Sequence, residues 1–360
     1  MTNSSVDAAM PVLPLFAIDG DVVDVAPYER GHIHNTFVST WKQSAGQNRY
    51  LHQQLNETVF SDITGLMHNI ECVTSHLSRK IEAGDVLGRF HPLSLVPTRE
   101  GATFLSHESG PWRTYHFIEN TESFDLCESA ERAFETARAF GRFQAWLADM
   151  KVTELKETIP NFFSTPYRYE QFDRARGHDR AGRVKQCDSE IGFVERHRTL
   201  SGAFEDRLRA GSLPLRIVHG DTKLNNILFD RDSGAAVSIV DLDTCMPAYS
   251  LYDFGDLVRF TAATACEDER DLARVGVDMK LYQALARGYL DQAGPFLTEE
   301  EVELMPLSAK VVTLTIGVRF LTDHLNGDVY FKVSRPGQNL DRARVQFKMV
   351  EQMDSLPGFE

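Results

Sequence analysis

Val218-His219-Gly220-Asp221-Thr222-Lys223-Leu224-Asn225-Asn226-Ile227-Leu228-Phe229, followed by Ser238-Ile239-Val240-Asp241-Leu242-Asp243, is the stretch from which the rest of this chain is read. Leu215 to Val218 is apolar and predicts a strand that delivers Asp221 to a loop, and Ile227 to Phe229 predicts a short strand leaving it. Arg231-Asp232-Ser233-Gly234 has turn composition, and Ala235 to Val240 is apolar and β-branched enough to return as a partner strand. Asp221, Asn226 and Asp241 are therefore expected at one end of a small sheet. Phosphoryl transfer needs such a set: Asp221 to accept the proton of an attacking hydroxyl, and the Asn226 carbonyl with the Asp241 carboxylate to hold the Mg²⁺ that bridges the phosphates of ATP.

Lys223 lies two residues beyond Asp221, so in an extended loop both side chains project the same way, and its ammonium would neutralise charge on the transferring phosphate. His-Gly-Asp alone is a common turn, and Asp-X-Asp alone is more often a solvated loop than a metal ligand. The inference rests on their order and spacing.

These residues resemble the catalytic segment of the aminoglycoside phosphotransferase superfamily, relatives of protein kinases that phosphorylate small molecules. Within it the chain is similar to the N-acetylhexosamine 1-kinases, and the likeness covers nearly its whole length. It includes Pro27-Tyr28, Gly31-His32-Ile33, Glu71-Cys72-Val73-Thr74-Ser75 and Tyr115-His116-Phe117-Ile118-Glu119. It continues through Asp221-Thr222-Lys223-Leu224-Asn225-Asn226, Asp253-Phe254-Gly255-Asp256 and Arg319-Phe320-Leu321. The resemblance implies an α+β, bilobal, protein-kinase-like fold. Residues 1–120 would form a small N-terminal β-sheet lobe with one main helix, and residues 121–360 a larger, mostly helical catalytic and substrate lobe. It also implies ATP and Mg²⁺, with a sugar as the small-molecule substrate: N-acetylglucosamine or N-acetylgalactosamine, phosphorylated at the anomeric hydroxyl. Two other functions stay open: a kinase of another small molecule, such as an aminoglycoside, choline, a methylthiopentose or an amino acid alcohol, and a nucleotide-binding pseudokinase without turnover.

Composition fits an enzyme of this kind. The 360 residues are 42% hydrophobic and 25% charged, an ordinary globular balance. The net charge of −14 argues against nonspecific binding to nucleic acid or anionic membranes, both of which need basic surface. Cys72, Cys127, Cys187, Cys245 and Cys266 show no paired zinc spacing and are odd in number, which suits free thiols in a reducing cytoplasm. No uninterrupted run of about 18 apolar residues is present, and Met1 to Met10 has no basic segment followed by an apolar one. Nothing in the sequence sets an oligomeric state.

In the first third, Asp21 to Val25, His34 to Thr40 and Asn48 to Leu55 predict strands. Gly31, in the turn between the first two, either lets backbone amides approach a phosphate or simply turns a hairpin. Val25, at the end of the first strand, is a further nucleotide-site candidate. From Ser61, read as the cap, Ile63, Leu66, Met67, Ile70, Val73, Leu77 and Ile81 fall on one helical face. By resemblance Glu71 on that helix would pair with a strand lysine, but Gln53 stands where that lysine is expected, and a neutral amide cannot supply its charge. Either Gln53 bonds a phosphate oxygen while Lys223 or Mg²⁺ supplies charge, or phosphate is held less strongly. Glu71 is otherwise a solvent-facing helix residue. Trp112 to Ile118 predicts a strand, with a nucleotide hinge around Phe117, Ile118 and Glu119; Phe117 is alternatively core.

The remainder is helical in pattern. Ala130, Phe134, Ala137, Phe140, Phe143, Trp146 and Leu147 follow helical spacing and predict packing. Thr298-Glu299-Glu300-Glu301 has the form of a capping box opening a helix that runs toward Leu325. Arg319 and Asp323, four apart on it, form an ion pair, or else Arg319 bonds the sugar, as the resemblance suggests. On the same resemblance His32, Phe260 and Tyr330 are sugar-pocket candidates, with packing as the alternative. Asp253 is read as an acid that braces the catalytic loop.

Overall fold

The computed structural model describes residues 6–28, 33–84, 90–356 and 359. Two compact units divide them: one takes the residues to Glu122 together with Asp149–Pro160 and Leu228–Met246, the other Ser123–Ala148, Asn161–Ile227 and Pro247–Glu360. The chain thus returns twice to the first unit after Glu122.

In the first unit, β1 (Asp21–Pro27), β2 (Asn35–Gln43), β3 (Gly46–Gln54), β4 (Leu105–His107) and β5 (Gly110–His116) form an antiparallel sheet in the order β1-β2-β3-β5-β4. Alternation along β2 buries Phe37, Ser39 and Trp41, because successive strand side chains point to opposite faces. Phe37 and Trp41 join Val12, Leu13, Phe16, Ile18, Tyr50, Val96 and Trp112 in one apolar cluster, against which Val25 packs. β3 and β5 pair in a register that sets Gln53 opposite Arg113.

The helix expected after Ser61 is α1 (Ile63–Glu82), but its cap is Asp62, whose Oδ1 accepts from Gly65 N at 2.8 Å. A carboxylate there adds favourable charge at the helix N-terminus. A second sheet of the unit sets β6 (Thr121–Glu122) beside β8 (Ile227–Asp230), and β8 beside β9 (Ala236–Ile239), the hairpin expected from the turn at Arg231 to Gly234.

The second unit is helical: α2 (Ala130–Leu147), α3 (Thr165–His178), α4 (Asp188–Arg196), α5 (Glu205–Ala210), α6 (Ser250–Thr261), α7 (Met279–Ala293), α8 (Glu299–Glu303), α9 (Met305–Asn326) and α10 (Gln338–Ser355). Its two-stranded sheet pairs β7 (Arg216–Val218) with β10 (Met246–Ala248). Thr298 and Glu301 make the expected capping box, yet the helix ends at Glu303 and a new one starts at Met305. Pro306 is the cause: it has no N–H to continue the ladder, and it suits the first turn of a new helix. α9 is long and apolar enough to cross a membrane, with a mean hydropathy of 1.2 over its apolar window, so the apolar content there exceeds what a search for an uninterrupted run detects. That window is 78% buried, and the helix is core of the second unit. Gly255 lets α6 approach it, since a Cβ there would stand 2.5 Å from Ser308 O.

Candidate active site

β7 ends at Val218, and Gly220 turns the chain with φ 81°, a left-handed conformation that glycine adopts without steric cost. The turn is held from beneath by the α6 acid Asp253, which is fully buried. Its Oδ2 accepts from His219 N at 2.8 Å and from Gln144 Nε2 at 2.7 Å, and its Oδ1 accepts from Gly220 N at 2.8 Å. Thr222 donates its hydroxyl to Asp253 O at 2.6 Å and its N–H to Asp256 Oδ2 at 3.1 Å. Asp256 is in turn fixed by Arg259 Nε at 2.8 Å. The brace expected of Asp253 is therefore real, and Asp256 extends it. Burial raises the Asp253 carboxyl, and the groups around it offset only part of that.

His219 is buried between the edges of Phe140 and Phe143, with ring centroids 5.3 and 5.7 Å away, and its Nδ1 accepts from Asp221 N at 3.2 Å. The Asp221 carboxylate emerges from this frame about a quarter exposed. Lys223 Nζ meets its Oδ1 at 2.7 Å. Asn226 Nδ2 donates to its Oδ2 at 3.0 Å and to its backbone carbonyl at 2.8 Å. Burial pushes the Asp221 carboxyl up, and the Lys223 ammonium outweighs this and leaves it below the usual aspartate value. Burial likewise disfavours the Lys223 charge, but Asp221 and Asp256 hold that ammonium above an ordinary lysine. The loop thus presents an ionised acceptor for a hydroxyl proton beside a fixed positive charge. Because both Asn226 contacts use its amide nitrogen, Oδ1 is the atom left for a hard cation, the donor type Mg²⁺ takes.

Asp241 belongs to the first unit. It has φ 62° and stands ahead of the short 3-10 turn Leu242–Thr244. Left-handed backbone at a non-glycine residue carries strain, which the surrounding structure must hold. The turn that follows is anchored through Asp243, 3% exposed. Both its oxygens receive the fork of Arg113, with Nη2 at 2.9 Å, and Oδ2 also meets His34 Nε2. Burial works against the Asp243 carboxylate, and Arg113 with His34 keeps it well below the usual value. Asn69 of α1 fastens the far side of the turn, donating to Cys245 O at 3.1 Å and to Lys156 O at 2.8 Å.

Gln53 is 2.8 Å, through Oε1, from Arg113 Nε, and its Nε2 reaches Thr36 Oγ1 at 3.3 Å. The strand charge absent from Gln53 is present one strand away on Arg113. Glu71 is exposed on α1 and forms no ion pair among the described residues, so the glutamate–lysine pair of protein kinases has no counterpart here. Asn69, two residues earlier on the buried face, ties the helix down instead.

Arg49 packs its guanidinium 4.0 Å over the Phe117 ring and pairs with Glu119, while Ile118 O accepts from Thr121 Oγ1 at 3.0 Å. Gly31 and His32 lie outside the described residues. Phe260 lines a cavity of about 360 Å³ with Leu224, Arg259 and Leu281, among others, and neither Arg319 nor Tyr330 is in its walls. Arg319 and Tyr330 are together, guanidinium to ring centroid 5.7 Å. The Arg319–Asp323 ion pair is not formed: Asp323 instead accepts from the N–H groups of Val329, Tyr330 and Phe331 and from Asn339 Nδ2.

Residues 78–299, more than half of the chain, match the family model described as phosphotransferase enzyme family. Among solved structures, a microcompartment-associated aminopropanol kinase aligns over 99% of both chains, with TM-score 0.62 and 15% identity. An aminoglycoside phosphotransferase from Alicyclobacillus acidocaldarius aligns over 96% of this chain and 93% of its own, with TM-score 0.58 and 15% identity. A spectinomycin phosphotransferase solved with ADP and spectinomycin aligns over 94% and 95%, with TM-score 0.52 and 12% identity. At such identities the likeness is one of fold, and it is the kinase-like α+β fold expected from the sequence.

Proposed function

We propose that this chain, which belongs to the phosphotransferase enzyme family, moves the γ-phosphoryl group of ATP to a hydroxyl of a sugar, with the anomeric hydroxyl of an N-acetylhexosamine as the acceptor. The observation that carries the reading is the Asp221 loop: an ionised carboxylate, held by Lys223 and Asn226 on a backbone braced by Asp253. The structures of relatives solved with ADP support a nucleotide in this fold.

Asp221 accepts a hydrogen bond from the acceptor hydroxyl, sets its oxygen in line with the γ-phosphorus and takes the proton late, as the bond to phosphorus forms. Lys223 keeps the carboxylate ionised until then and is placed to offset charge on the transferring group. Mg²⁺, when bound, would neutralise charge on the phosphate oxygens; Asn226 Oδ1 is an oxygen of the kind it takes, and Asp241 is the carboxylate candidate by its place in the sequence. Arg113 acts on the turn bearing Asp241 through Asp243, and it orients the Gln53 amide. The products are a sugar 1-phosphate and ADP. Charge and cysteine content favour a cytoplasmic enzyme that engages neither nucleic acid nor membrane.

The test is ATP turnover against a panel of N-acetylhexosamines, aminoglycosides and amino alcohols, with the product read by phosphorus NMR. An anomeric phosphate from N-acetylglucosamine or N-acetylgalactosamine supports the reading. Turnover confined to amino alcohols or aminoglycosides would replace the sugar, and turnover of none would leave a nucleotide-binding pseudokinase.

A further inference from the structure

Asp243 is gripped from two strands that are not neighbours. Arg113, on β5, supplies its guanidinium fork, and His34, the residue before β2, brings Nε2 to within 2.5 Å of Oδ2. In the sheet order β3 lies between β2 and β5, so the two donors are rooted on either side of that strand. His34 is 7% exposed, and its ring centroid stands 5.6 Å from that of the buried Phe60.

The other ring nitrogen decides which way this contact runs. Asn56 N donates to His34 Nδ1 at 3.1 Å, and a ring nitrogen that accepts carries no proton. The neutral imidazole therefore holds its proton on Nε2 and donates it to Asp243. Asn56 is itself set by its neighbours: its Nδ2 donates to Ile33 O at 3.3 Å, its Oδ1 accepts from Thr58 N at 3.0 Å and its carbonyl accepts from Phe60 N at 3.0 Å. With both nitrogens engaged, the ring has no lone pair for a substrate proton, so His34 is not a general base.

Arg113 alone already compensates the buried Asp243 charge, because its fork reaches both oxygens. A fork keeps guanidinium and carboxylate in one plane, yet the pair can still swing together with the long arginine chain. A second donor rooted on another strand removes that freedom. What the pair carries is the turn Leu242–Thr244, which Asp241 heads. Burial opposes the Arg113 charge, and Asp243 and, more weakly, Asp241 hold it above an ordinary arginine. Asp241 therefore stands near the pair whose swing His34 limits.

We propose that His34 is a positioning residue for the end of the site that takes the nucleotide's cation: by donating Nε2–H to Asp243 it locks the turn headed by Asp241, and with it the orientation in which that carboxylate meets a divalent cation. This rests on the phosphoryl-transfer reading and deepens it. Groups that orient a metal ligand from behind change metal affinity by about 10–100-fold when removed. Because the buried Asp243 charge keeps Arg113, the loss of His34 falls on the cation more than on the fold.

The experiment compares wild type with His34→Leu, which removes the donor, and His34→Gln, whose amide can restore it, all shown to be folded by circular dichroism. Mn²⁺ binding is read by electron paramagnetic resonance in the presence of the ATP analogue adenylyl imidodiphosphate, and binding of that analogue in EDTA is read by calorimetry. The expected result is that His34→Leu weakens Mn²⁺ binding by about tenfold or more and changes metal-free analogue binding by less than about threefold, while His34→Gln recovers most of the loss. Should His34→Leu fail to fold, His34→Ala takes its place. Three results overturn the proposal: Mn²⁺ binding unchanged without the donor, equal losses in the donor-free and Gln proteins, or an equal loss of metal-free analogue binding, which a loosened fold would give. Sugar turnover by wild type separates the two readings. If it phosphorylates no sugar while the Mn²⁺ loss is present, the phosphoryl-transfer reading falls and the positioning role stands; normal turnover with Mn²⁺ binding unchanged in the variants sinks this proposal alone.

Discussion

Arg113 and Asp243 are joined across the first unit by a two-pronged contact, both terminal guanidinium nitrogens on both carboxylate oxygens, while the third nitrogen, Nε, holds Gln53 at 2.8 Å. Both residues are nearly inaccessible, at 2% and 3% exposure. One cation thus fixes the turn two residues beyond Asp241 and the amide that stands where a kinase has lysine. Removing either partner leaves a buried charge uncompensated, so Arg113→Met or Asp243→Asn is expected to lose about 3–5 kcal/mol of stability. The double variant should lose less than the two losses added, and denaturant midpoints for the four proteins check this.

Gln53→Lys follows from the same geometry. A lysine there would set a second cation against the Arg113 guanidinium, because the strands place residues 53 and 113 opposite one another. Restoring the familiar kinase residue is therefore expected to lower the melting temperature and to leave kcat/KM for ATP no higher. Steady-state kinetics beside a thermal melt measures both.

His52 gives a pH signature to folding. It is fully buried in the sheet, with Nε2 2.6 Å from Ser39 Oγ and Nδ1 2.8 Å from Thr114 Oγ1, and burial lowers its pKa to about 3. Between that value and the unfolded value near 6.5, the unfolded chain binds more protons than the folded one. Stability should therefore fall as pH drops from about 6.5, by at most about 1.4 kcal/mol per pH unit from this group. Urea midpoints at pH 7, 6 and 5 should show the decline, and a His52→Gln protein should show a shallower one.

Gly255→Ala tests the packing beneath the reaction loop. The added methyl would meet Ser308 O at 2.5 Å and Val312 at 2.6 Å, so α6 must move relative to α9. Overpacking of this kind costs about 1–3 kcal/mol. Because α6 carries Asp253 and Asp256, kcat is expected to fall further than the stability loss alone would imply, at temperatures where the variant remains folded.

Much of the reaction loop was legible in sequence because its chemistry is local. Asp221, Lys223 and Asn226 lie within six positions, and a strand, a loop and a 3-10 turn suffice to bring their side chains together. The Asp253 brace was legible too, as an acid placed after the loop on a helix. Arg113 was not, since its role depends on β3 and β5 being neighbours in a register that no short pattern encodes. Resemblance gives Glu71 the kinase glutamate's place, but the buried face of α1 passes through Asn69 and Val73, which turns Glu71 outward, the solvent-facing alternative. The break between α8 and α9 is hidden in the sequence because apolar residues continue across Leu304, and the missing N–H of Pro306 decides it. Arg319 and Asp323 have ion-pair spacing, and the backbone amides of Val329, Tyr330 and Phe331, in the segment just after the helix, claim the acid first.

The central claim is that Asp221 receives the acceptor proton, and Asp221→Asn tests it most directly, since the amide keeps the size of the side chain and removes its basicity. With ATP, Mg²⁺ and the best acceptor found, kcat is expected to fall by on the order of 10²–10⁴, the usual cost of losing a positioned base, while the melting temperature and ATP binding stay close to wild type. A folded Asp221→Asn protein that turns over at the wild-type rate would contradict the account.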